Sequence, residues 1–368
     1  MISISSYFLF FHSNNSLEKE LQIQTDIPVE ETSDEPCEIC NNNNNQLEDI
    51  QGEEEQIYEL KESGWIPNWA FDLGYESLIE NKGIIDTVNP VLYSMNSNGD
   101  IVSRGISDTN IQKLLTYCKK NNIRVIPTVG SYDLNAMSNH FGSKEAYTKN
   151  INTILTEIER YGFDGIDLDY EVISSTEKDN YILFIKDLSY QLKQRNKILS
   201  VTVFAQWSNA TYLDHQDTRS VQDYSEIGKY ADEVRVMAYD YTLQSSKVPG
   251  PIGPISWIRQ VLEYTTKHIP KEKVWLGVHL YGYEWIDNRT VALTYTSVKS
   301  ILSNPNINGT FKKDLGEGYA EFGCENGLRC VMYYQNNEGV DMRRDIAKEY
   351  EIAGVSYWRL GGEEDILK

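Results

Sequence analysis

Eight short apolar segments alternate with longer amphipathic segments between Tyr58 and the C-terminus. Near-continuous apolar runs are typical of strands buried on both faces, and such strands alternating with helices indicate a parallel sheet. Eight units over roughly 300 residues fit a closed α/β fold, the (β/α)8 TIM barrel, better than an open sheet. The runs are SGWIPNWAF (63–71), VNPVLYSM (88–95), RVIPTVGS (124–131), GIDLDYEV (165–172), LSVTVFAQW (199–207), EVRVMAYDY (233–241), VWLGVHLYGY (274–283) and GVSYWRL (354–360).

The intervals between these runs refine the prediction. In SDTNIQKLLTYCKKNN, Ser107 or Asp108 can cap a helix with one apolar face. No Gly-x-Gly-x-x-Gly turn follows a run, which argues against a dinucleotide-binding fold. The interval from Glu284 to Ala353 is too long for one crossover. We therefore expect a small α+β insertion, at about residues 284–350, between the seventh strand and the eighth.

Residues 1–56 differ in composition from residues 57–368, over which we expect the barrel. They hold 13 acidic residues against one lysine, and a run of five asparagines. This composition predicts a disordered acidic linker. The apolar run within the first 12 residues is too short to span a bilayer, but it resembles a signal segment that lacks a preceding basic residue. We expect no stable membrane span and a secreted or cell-surface location.

The charge of the chain restricts its partners. The formal net charge is −21 and the isoelectric point is near 4.7. Nucleic acid and anionic membranes bind basic patches, so neither is an expected partner. An uncharged sugar is compatible with this charge, and an aromatic content of 11 % leaves aromatic side chains for a surface site.

The five cysteines do not form a metal-binding pattern. Cys37 and Cys40 lack the second pair or histidines that a zinc site needs. Cys118 lies in a helical pattern and is predicted to be a buried free thiol. Cys324 and Cys330 are close enough in sequence to bridge across a turn.

The segment FDGIDLDYEV places an unusual number of acids in a buried strand. Side chains alternate along a strand, so Asp167, Asp169 and Glu171 share one face, which in a barrel is the interior. Glu171 is the nearest of the three to the C-terminal mouth, where active sites of this fold lie. Three stacked carboxylates cannot all be ionised cheaply, so one stays protonated near neutral pH. A protonated carboxyl at the rim can act as a general acid.

The acids also have three other interpretations: a calcium loop, a divalent-metal cluster and a structural ion-pair network. A calcium loop needs Gly and Glu where Val172 and Lys178 stand, which argues against it. A Mg²⁺ or Mn²⁺ cluster at the barrel mouth is an alternative, although no other strand end supplies an acid pair. A structural ion-pair network lacks an arginine or lysine in this strand. We expect no metal and no cofactor.

The acidic segment resembles a family signature. DGIDLDYE is similar to the Asp-x-x-Asp-x-Asp-x-Glu motif of glycoside hydrolase family 18, the chitinase-like (β/α)8 barrels. MAYDY (237–241) resembles that family's Met-x-Tyr-Asp element, and Trp358 stands where the family has its eighth-strand tryptophan. GWIPNW and TVGS resemble first- and third-strand elements. The texture of PVLYSMNSNGDI is similar to the spore-germination and cortex-lytic branch, which is associated with peptidoglycan.

This resemblance implies a retaining glycosidase that cleaves β-linked N-acetylglucosamine polymers by substrate-assisted catalysis. The candidate substrates are chitin, peptidoglycan and N-glycan cores. The substrate's own acetamido oxygen is then the nucleophile, an exception to the two-carboxylate scheme. Glu171 protonates the glycosidic oxygen, and Asp169 holds the acetamido N–H. Asp167 shares a proton with Asp169, Tyr239 fixes the acetamido group, and Asp164 supports the start of the strand.

Substrate contacts follow from the same resemblance and from the strand ends. Asp164, Asp240 and Met237 are expected in the substrate site, with Asp240 on the sugar or on a neighbouring acid, and Trp358 is expected under the sugar ring. Aromatic residues near strand ends can stack on sugar faces, and about half of them are expected to touch sugar. They are Trp69, Tyr93, Trp207, Tyr241, Tyr281 and Trp285.

Two positions depart from the motifs of the family. Trp65 stands where the family has a tyrosine, so a hydroxyl partner of the acids is missing, whereas Thr128 keeps a hydroxyl on the third strand.

The alternative function is a catalytically weak, lectin-like carbohydrate-binding protein. Such proteins commonly lose the terminal glutamate of the signature, which is present here as Glu171. A structural protein that uses the barrel as a docking platform is a third interpretation.

Overall fold

Eight parallel strands close into a barrel in the computed structural model, which describes residues 58–209, 218–287, 289–324 and 327–368. The barrel strands are β1 (Lys61–Ile66), β2 (Thr87–Met95), β5 (Thr128–Ser131), β6 (Gly165–Tyr170), β7 (Ile198–Phe204), β8 (Glu233–Met237), β9 (Val274–His279) and β15 (Gly354–Trp358). Neighbours in this order pair in parallel, and β15 pairs with β1. The predicted (β/α)8 fold is confirmed. The predicted linker and the Cys37–Cys40 pair lie outside the described residues.

The third strand of the barrel is interrupted by a proline. The short strand β4 (Arg124–Val125) pairs with β2, and β5 begins only after Pro127. Proline cannot donate to a sheet ladder, which accounts for the break. The carbonyl of Pro127 still accepts the Asp167 N–H at 2.9 Å. This contact sets the register in which Thr128 lies opposite Asp167. A further short strand, β3 (Ile101–Ser103), lies antiparallel to β2 outside the barrel.

Helices cover the outside of the barrel. The helix from 108 to 120 begins as predicted, because Ser107 accepts the Asn110 N–H at 3.2 Å and caps it. The helices of the described residues are α1 (Phe71–Glu80), α2 (Asp108–Lys120), α3 (Leu134–Phe141), α4 (Lys144–Tyr161), α5 (Lys178–Lys193), α6 (Thr218–Val221), α7 (Tyr224–Tyr230), α8 (Ile255–His268), α9 (Tyr295–Leu302) and α10 (Asn337–Glu349). Short 3₁₀ turns lie at 68–70, 175–177 and 271–273.

The apolar core lies between the sheet and the helices, while the barrel interior is largely polar. Along β6 every residue is buried. Ile166 and Leu168 belong to the apolar core, and Asp167 and Asp169 alternate with them on the other face. Side-chain alternation along the strand therefore separates an apolar layer from an interior lined by hydrogen-bonding groups.

An insertion of mixed structure follows the seventh barrel strand. Five strands form an antiparallel sheet in the order β11-β10-β14-β13-β12. They are β10 (Tyr281–Ile286), β11 (Arg289–Thr294), β12 (Thr310–Lys312), β13 (Glu317–Gly323) and β14 (Arg329–Tyr334), with α9 between β11 and β12. The seventh predicted run divides at Leu280: β9 ends at His279, and the rest of the run is the first strand of the insertion.

The structure confirms the predicted free thiol and contains the disulfide that the sequence allowed. A disulfide joins Cys324, just after β13, to Cys330 on β14, with a Cα–Cα distance of 5.8 Å. Cys118 is a buried free thiol on α2. Within the described residues, no helix has the length and apolar character needed to cross a membrane.

A buried ion pair fastens the insertion to the barrel. Glu317 on β13 and Arg343 on α10 are both fully buried, with 3.4 Å between Arg343 Nη2 and Glu317 Oε1. Glu317 also accepts the backbone N–H groups of Ile252 and Gly253 at 2.9 and 2.5 Å. These two residues belong to the segment between β8 and α8, so the pair holds a loop that begins at the carboxyl end of a barrel strand.

We expect Arg343→Met to lower the free energy of unfolding by about 3–5 kcal/mol, because it leaves the Glu317 carboxylate buried without its cation. Chemical denaturation monitored by circular dichroism measures the change. Arg259→Met is the matched control, since Arg259 pairs with Glu349 at the surface with side chains 40 % and 56 % exposed. That variant should lose less than about 1 kcal/mol. Equal losses in the two variants would contradict the assigned role of the buried pair.

Candidate active site

Strand β6 carries three acids toward the mouth of the barrel. Asp167 is fully buried and Asp169 is 6 % exposed. Glu171 follows the last residue of β6, where its backbone N–H donates to the Ser131 carbonyl at 3.0 Å, and its side chain is partly buried. The acids therefore rise along the strand from the interior to the open end, as the alternation predicted.

Asp167 is held by donors from three other strands. The indole N–H of Trp65 on β1 and the hydroxyl of Thr128 on β5 donate to Oδ2 at 3.2 and 2.9 Å. From β7, Ser200 and Thr202 donate to Oδ1 at 2.6 and 3.1 Å. Four donors suit the acceptor capacity of a carboxylate and allow its burial. They also argue against Asp167 as a metal ligand.

The Trp65 contact corrects an expectation from the sequence. The loss of the family's tyrosine hydroxyl predicted a missing partner for the acids. In the structure the indole of Trp65, which is 2 % exposed, reaches Asp167 and supplies an N–H donor in place of the hydroxyl. Tryptophan and tyrosine both place a donor at the tip of an aromatic ring, so the substitution preserves the hydrogen bond.

Asp169 has a different environment. Its Oδ2 accepts the Tyr132 hydroxyl at 3.2 Å, and its buried Oδ1 has no donor among the described residues. Burial raises the pKa of Asp169 well above its usual range, and the charges of Glu171 and Asp167 raise it further. The hydrogen bond from Tyr132 opposes this shift. Asp169 Oδ1 is thus available to accept a hydrogen bond from a ligand. Its buried surroundings and the neighbouring acids disfavour the ionised form of the carboxyl.

Glu171 has the protonation behaviour of a general acid. Burial raises its pKa to about 7, and the negative charge of Asp240 contributes to the rise. Near neutral pH a large fraction of Glu171 is therefore protonated, which is the condition for proton delivery.

Asp240 lies on a strained turn after β8 and is fixed by two tyrosines of the insertion. Its φ angle of +58° lies in the left-handed region, which aspartate tolerates better than most residues. Asp240 Oδ1 accepts the hydroxyls of Tyr281 and Tyr283 on β10, at 2.5 and 2.7 Å. Burial raises the pKa of Asp240, and the two tyrosine hydrogen bonds oppose that rise. The negative charge of Asp240 acts on a neighbouring acid, Glu171, and its predicted contact with sugar stays a prediction.

Tyr239 lies among the acids. Burial raises the pKa of its phenol well above the usual range, and the charges of Asp169, Glu171 and Asp240 add to the shift. Its ring contacts that of Tyr281 edge-on, with 6.4 Å between centroids. Met237 is the last residue of β8 and is partly buried at the same end of the barrel.

Aromatic side chains form two groups at strand ends. Trp358 lies edge-on to Trp65 and Trp69, with centroids 6.1 and 6.3 Å apart, and Trp69 is 63 % exposed. After β7 and β8, Trp207 and Tyr241 both pack on Trp257, at 5.7 and 5.3 Å. The predicted residues Trp69, Trp207, Trp358, Tyr241 and Tyr281 are therefore at the mouth of the barrel.

Three residues selected from the sequence lie elsewhere. Tyr93 is 5 % exposed and donates to Glu157 on α4 at 2.9 Å, so it faces the helix layer. The register between β2 and β5 shifts between Val91 and Tyr93, a bulge that redirects side chains. Asp164 precedes β6 and accepts the Val125 N–H at 2.7 Å, at the end of the barrel away from the mouth. It has a structural role at the start of the strand and is not placed to bind substrate.

The third residue is Trp285, which is buried in the insertion. It is 2 % exposed, and its indole N–H donates to the Ser246 carbonyl at 2.9 Å.

Other residues of the site were missed by sequence reasoning. Ser200 and Thr202 alternate with apolar residues in LSVTVF, a signal that could have identified them as inward-facing. Tyr132 and Tyr283 also continue a two-residue spacing, Tyr132 after Thr128 and Gly130, and Tyr283 between Tyr281 and Trp285, which could have identified them.

Comparison with known proteins identifies the family of the chain. The family model for glycosyl hydrolases family 18 matches residues 74–363. The uncharacterized glycosylase YvbX of Bacillus subtilis is 28 % identical over 302 residues, which cover 79 % of this chain and 85 % of the relative. The cortical fragment-lytic enzyme of Bacillus anthracis is 27 % identical over 219 residues, 58 % of this chain and half of that enzyme.

Solved structures share the fold. The chitinase from Chromobacterium violaceum superposes with a TM-score of 0.76 at 18 % identity, covering 84 % of this chain and 96 % of that chain. The spore cortex-lytic enzyme SleL of Bacillus cereus gives a TM-score of 0.73 at 18 % identity, covering 82 % and 71 %. With the family model matching most of its length, the chain belongs to glycoside hydrolase family 18 and is a chitinase-like glycosidase with cortex-lytic enzymes among its relatives.

Proposed function

We propose that the protein is a retaining glycosidase that cleaves β-linked N-acetylglucosamine in a glycan by substrate-assisted catalysis. One observation carries this proposal. Glu171, with its pKa raised to about 7, stands at the barrel mouth two residues beyond Asp169, whose buried Oδ1 has no donor among the described residues. A proton donor and an open acceptor on one strand match the two needs of an N-acetyl sugar: a protonated leaving group and a fixed acetamide.

The first step breaks the glycosidic bond. Glu171 transfers its proton to the glycosidic oxygen as the bond to the anomeric carbon breaks. The acetamido oxygen of the same sugar forms the new bond to that carbon and gives an oxazolinium ion. Asp169 accepts the acetamido N–H and stabilises the positive charge. Tyr239 lies beside both acids, where its hydroxyl can orient the acetamide for attack.

The second step restores the enzyme. Glu171, now ionised, takes a proton from water, and the water oxygen attacks the anomeric carbon. The bond to the acetamido oxygen breaks, the acetamide re-forms, and the two inversions retain the β configuration. The scheme needs no second catalytic carboxylate, and Asp167 is already occupied by four donors.

The aromatic residues at the mouth supply surfaces for sugar rings. N-acetylglucosamine has apolar faces that stack on indole and phenol rings. Trp358 with Trp69 forms one such surface, and Trp207 with Tyr241 forms another, both partly exposed. We propose that the scissile linkage lies between these groups, above the acids of β6.

Peptidoglycan glycan strands are the substrate that we favour among the candidates. Cortical fragment-lytic enzymes are relatives of this chain, and the texture of its second strand is similar to that branch. Chitin and N-glycan cores share the N-acetylglucosamine unit and are the other candidates. Because such polymers lie outside the cell, we propose a secreted or cell-surface location.

The lectin-like alternative makes a different prediction for the same residues. A binding protein needs the aromatic surfaces but not a general acid, and Glu171 is retained with its pKa near neutrality. We therefore prefer the enzyme.

We expect Glu171→Gln to lower kcat by about 10²–10⁴-fold while glycan binding persists, because the amide cannot deliver a proton. The assay offers purified peptidoglycan, chito-oligosaccharides and a high-mannose glycopeptide, and product release is followed by mass spectrometry. Glu80→Gln is the control, since Glu80 is exposed on α1. Equal activity of the wild type and Glu171→Gln would remove Glu171 from the mechanism. Binding without cleavage by either protein would establish the lectin alternative.

We expect Asp240→Asn to move the basic limb of the pH–activity profile to lower pH by about one unit. The negative charge of Asp240 raises the pKa of Glu171, so its removal lowers that pKa, and the protonated acid is lost at a lower pH. The profile of kcat/KM between pH 4 and 9 measures this shift. A basic limb that stays in place would show that Asp240 does not set the protonation of Glu171.

We expect the first product released to be the β-anomer. Proton NMR on a soluble chito-oligosaccharide, recorded before mutarotation, distinguishes the anomers. A thiazoline analogue of the oxazolinium ion should inhibit the reaction competitively. An α-anomer as first product would contradict retention and with it the acetamido nucleophile.

A further inference from the structure

We propose that Tyr132 is a positioning residue for Asp169, whose hydroxyl holds one carboxylate oxygen so that the other faces the acetamido N–H of the substrate. The inference rests on the proposed function, because it gives Tyr132 a part in that reaction. It concerns a side chain that no motif in the sequence identifies.

Tyr132 lies at the open end of the barrel and reaches the buried carboxylate of Asp169. It follows the last residue of β5, and β5 pairs with β6 so that Gly130 lies opposite Asp169. The Tyr132 hydroxyl lies 3.2 Å from Asp169 Oδ2. The residue is 45 % exposed, so part of it lies at the open end of the barrel, where a substrate arrives.

Gly130 provides the space for this contact. A Cβ atom at position 130 would lie 2.9 Å from the Tyr132 hydroxyl oxygen and 3.2 Å from each of two ring carbons. These separations are shorter than ordinary van der Waals contact, so a larger residue forces the ring to move. The ring therefore lies partly in space that a side chain at position 130 would occupy.

Asp169 depends on Tyr132 more than Asp167 depends on any one of its partners. Asp167 accepts from four side chains, whereas among the described residues the Tyr132 hydroxyl is the side-chain donor to Asp169. The terminal torsion of an aspartate is broad, so a carboxylate with a single donor can turn once that donor is lost. One hydroxyl therefore decides which oxygen faces the substrate.

The same hydrogen bond affects the charge of Asp169. Ionisable groups face Asp169 from several elements: Asp167 on β6, Glu171 just after β6, Tyr132 after β5, Tyr181 on α5 and Tyr239 after β8. Burial and the two acids raise the pKa of Asp169, and the Tyr132 hydroxyl lowers it. Without that hydroxyl the pKa rises further, so fewer molecules carry the charge that stabilises the oxazolinium ion at acidic pH.

The test is Tyr132→Phe, which keeps the ring and removes the hydroxyl. On a soluble chito-oligosaccharide we expect kcat to fall about ten- to hundredfold, as for loss of a hydrogen bond to a charged group, with KM changed less than about twofold. The acidic limb of the kcat profile should move to higher pH. Tyr190→Phe is the matched control, because Tyr190 is 63 % exposed on α5 and should leave both quantities unchanged.

Gly130→Ala provides a second variant that keeps the hydroxyl but displaces the ring, and we expect the same loss of kcat and the same shift of the acidic limb. Carboxyl ¹³C NMR of aspartate-labelled protein measures the Asp169 titration directly, and its midpoint should rise in Tyr132→Phe. If the wild type cleaves its substrate and Tyr132→Phe matches it in kcat, acidic limb and Asp169 midpoint, this inference is overturned and the proposed function stands. A wild type that cleaves no N-acetylglucosamine glycan overturns both.

Discussion

The burial of aspartates inside the barrel is the constraint on which the site depends. Two aspartates of β6, Asp167 and Asp169, lie almost completely out of solvent, and a buried carboxylate without partners is too costly for a stable fold. The neighbouring strands resolve this. The register of β5 and β7 against β6 sets Thr128 and Ser200 opposite Asp167, and both donate to it. The register of these strands therefore fixes both the hydrogen bonds to Asp167 and the position of the column of acids formed by Asp167, Asp169 and Glu171.

Hydrogen-bond donors are unevenly distributed along this column. The deepest acid has four side-chain donors, and the middle acid has Tyr132 on one oxygen while its other oxygen lacks a donor among the described residues. At the rim, the pKa of Glu171 is raised to about 7. In the proposed mechanism the deepest acid has a structural role, the middle acid keeps an oxygen for a ligand, and the outermost acid supplies a proton. Depth along the strand, the donors of neighbouring strands and the charge of Asp240 together separate these proposed roles.

Much of this arrangement could be predicted from the sequence, because it follows from periodicity. The eight apolar runs predict the barrel, and alternation within GIDLDYEV predicts which acids face inward. Contacts that depend on loop geometry could not be predicted. Tyr93 faces the helices because a bulge interrupts the register of its strand, and Tyr132 reaches Asp169 because Gly130 leaves room. Trp65 stands where the family has a tyrosine, which suggested that the acids lack a hydrogen-bond partner. Its indole N–H nevertheless donates to Asp167, because the residue type alone does not show which atoms a side chain brings within bonding distance.

The insertion contributes side chains to the candidate site. Its first strand supplies Tyr281 and Tyr283, which fix Asp240, and the charge of Asp240 contributes to the raised pKa of Glu171. Its strand β13 supplies Glu317, which holds the backbone of the loop that leads away from Asp240. The barrel alone can place Glu171 at the mouth, but the protonation of that acid also depends on groups from the sheet beside it. Changes in the insertion can therefore adjust the pH range of the chemistry while the column of acids on β6 stays unchanged.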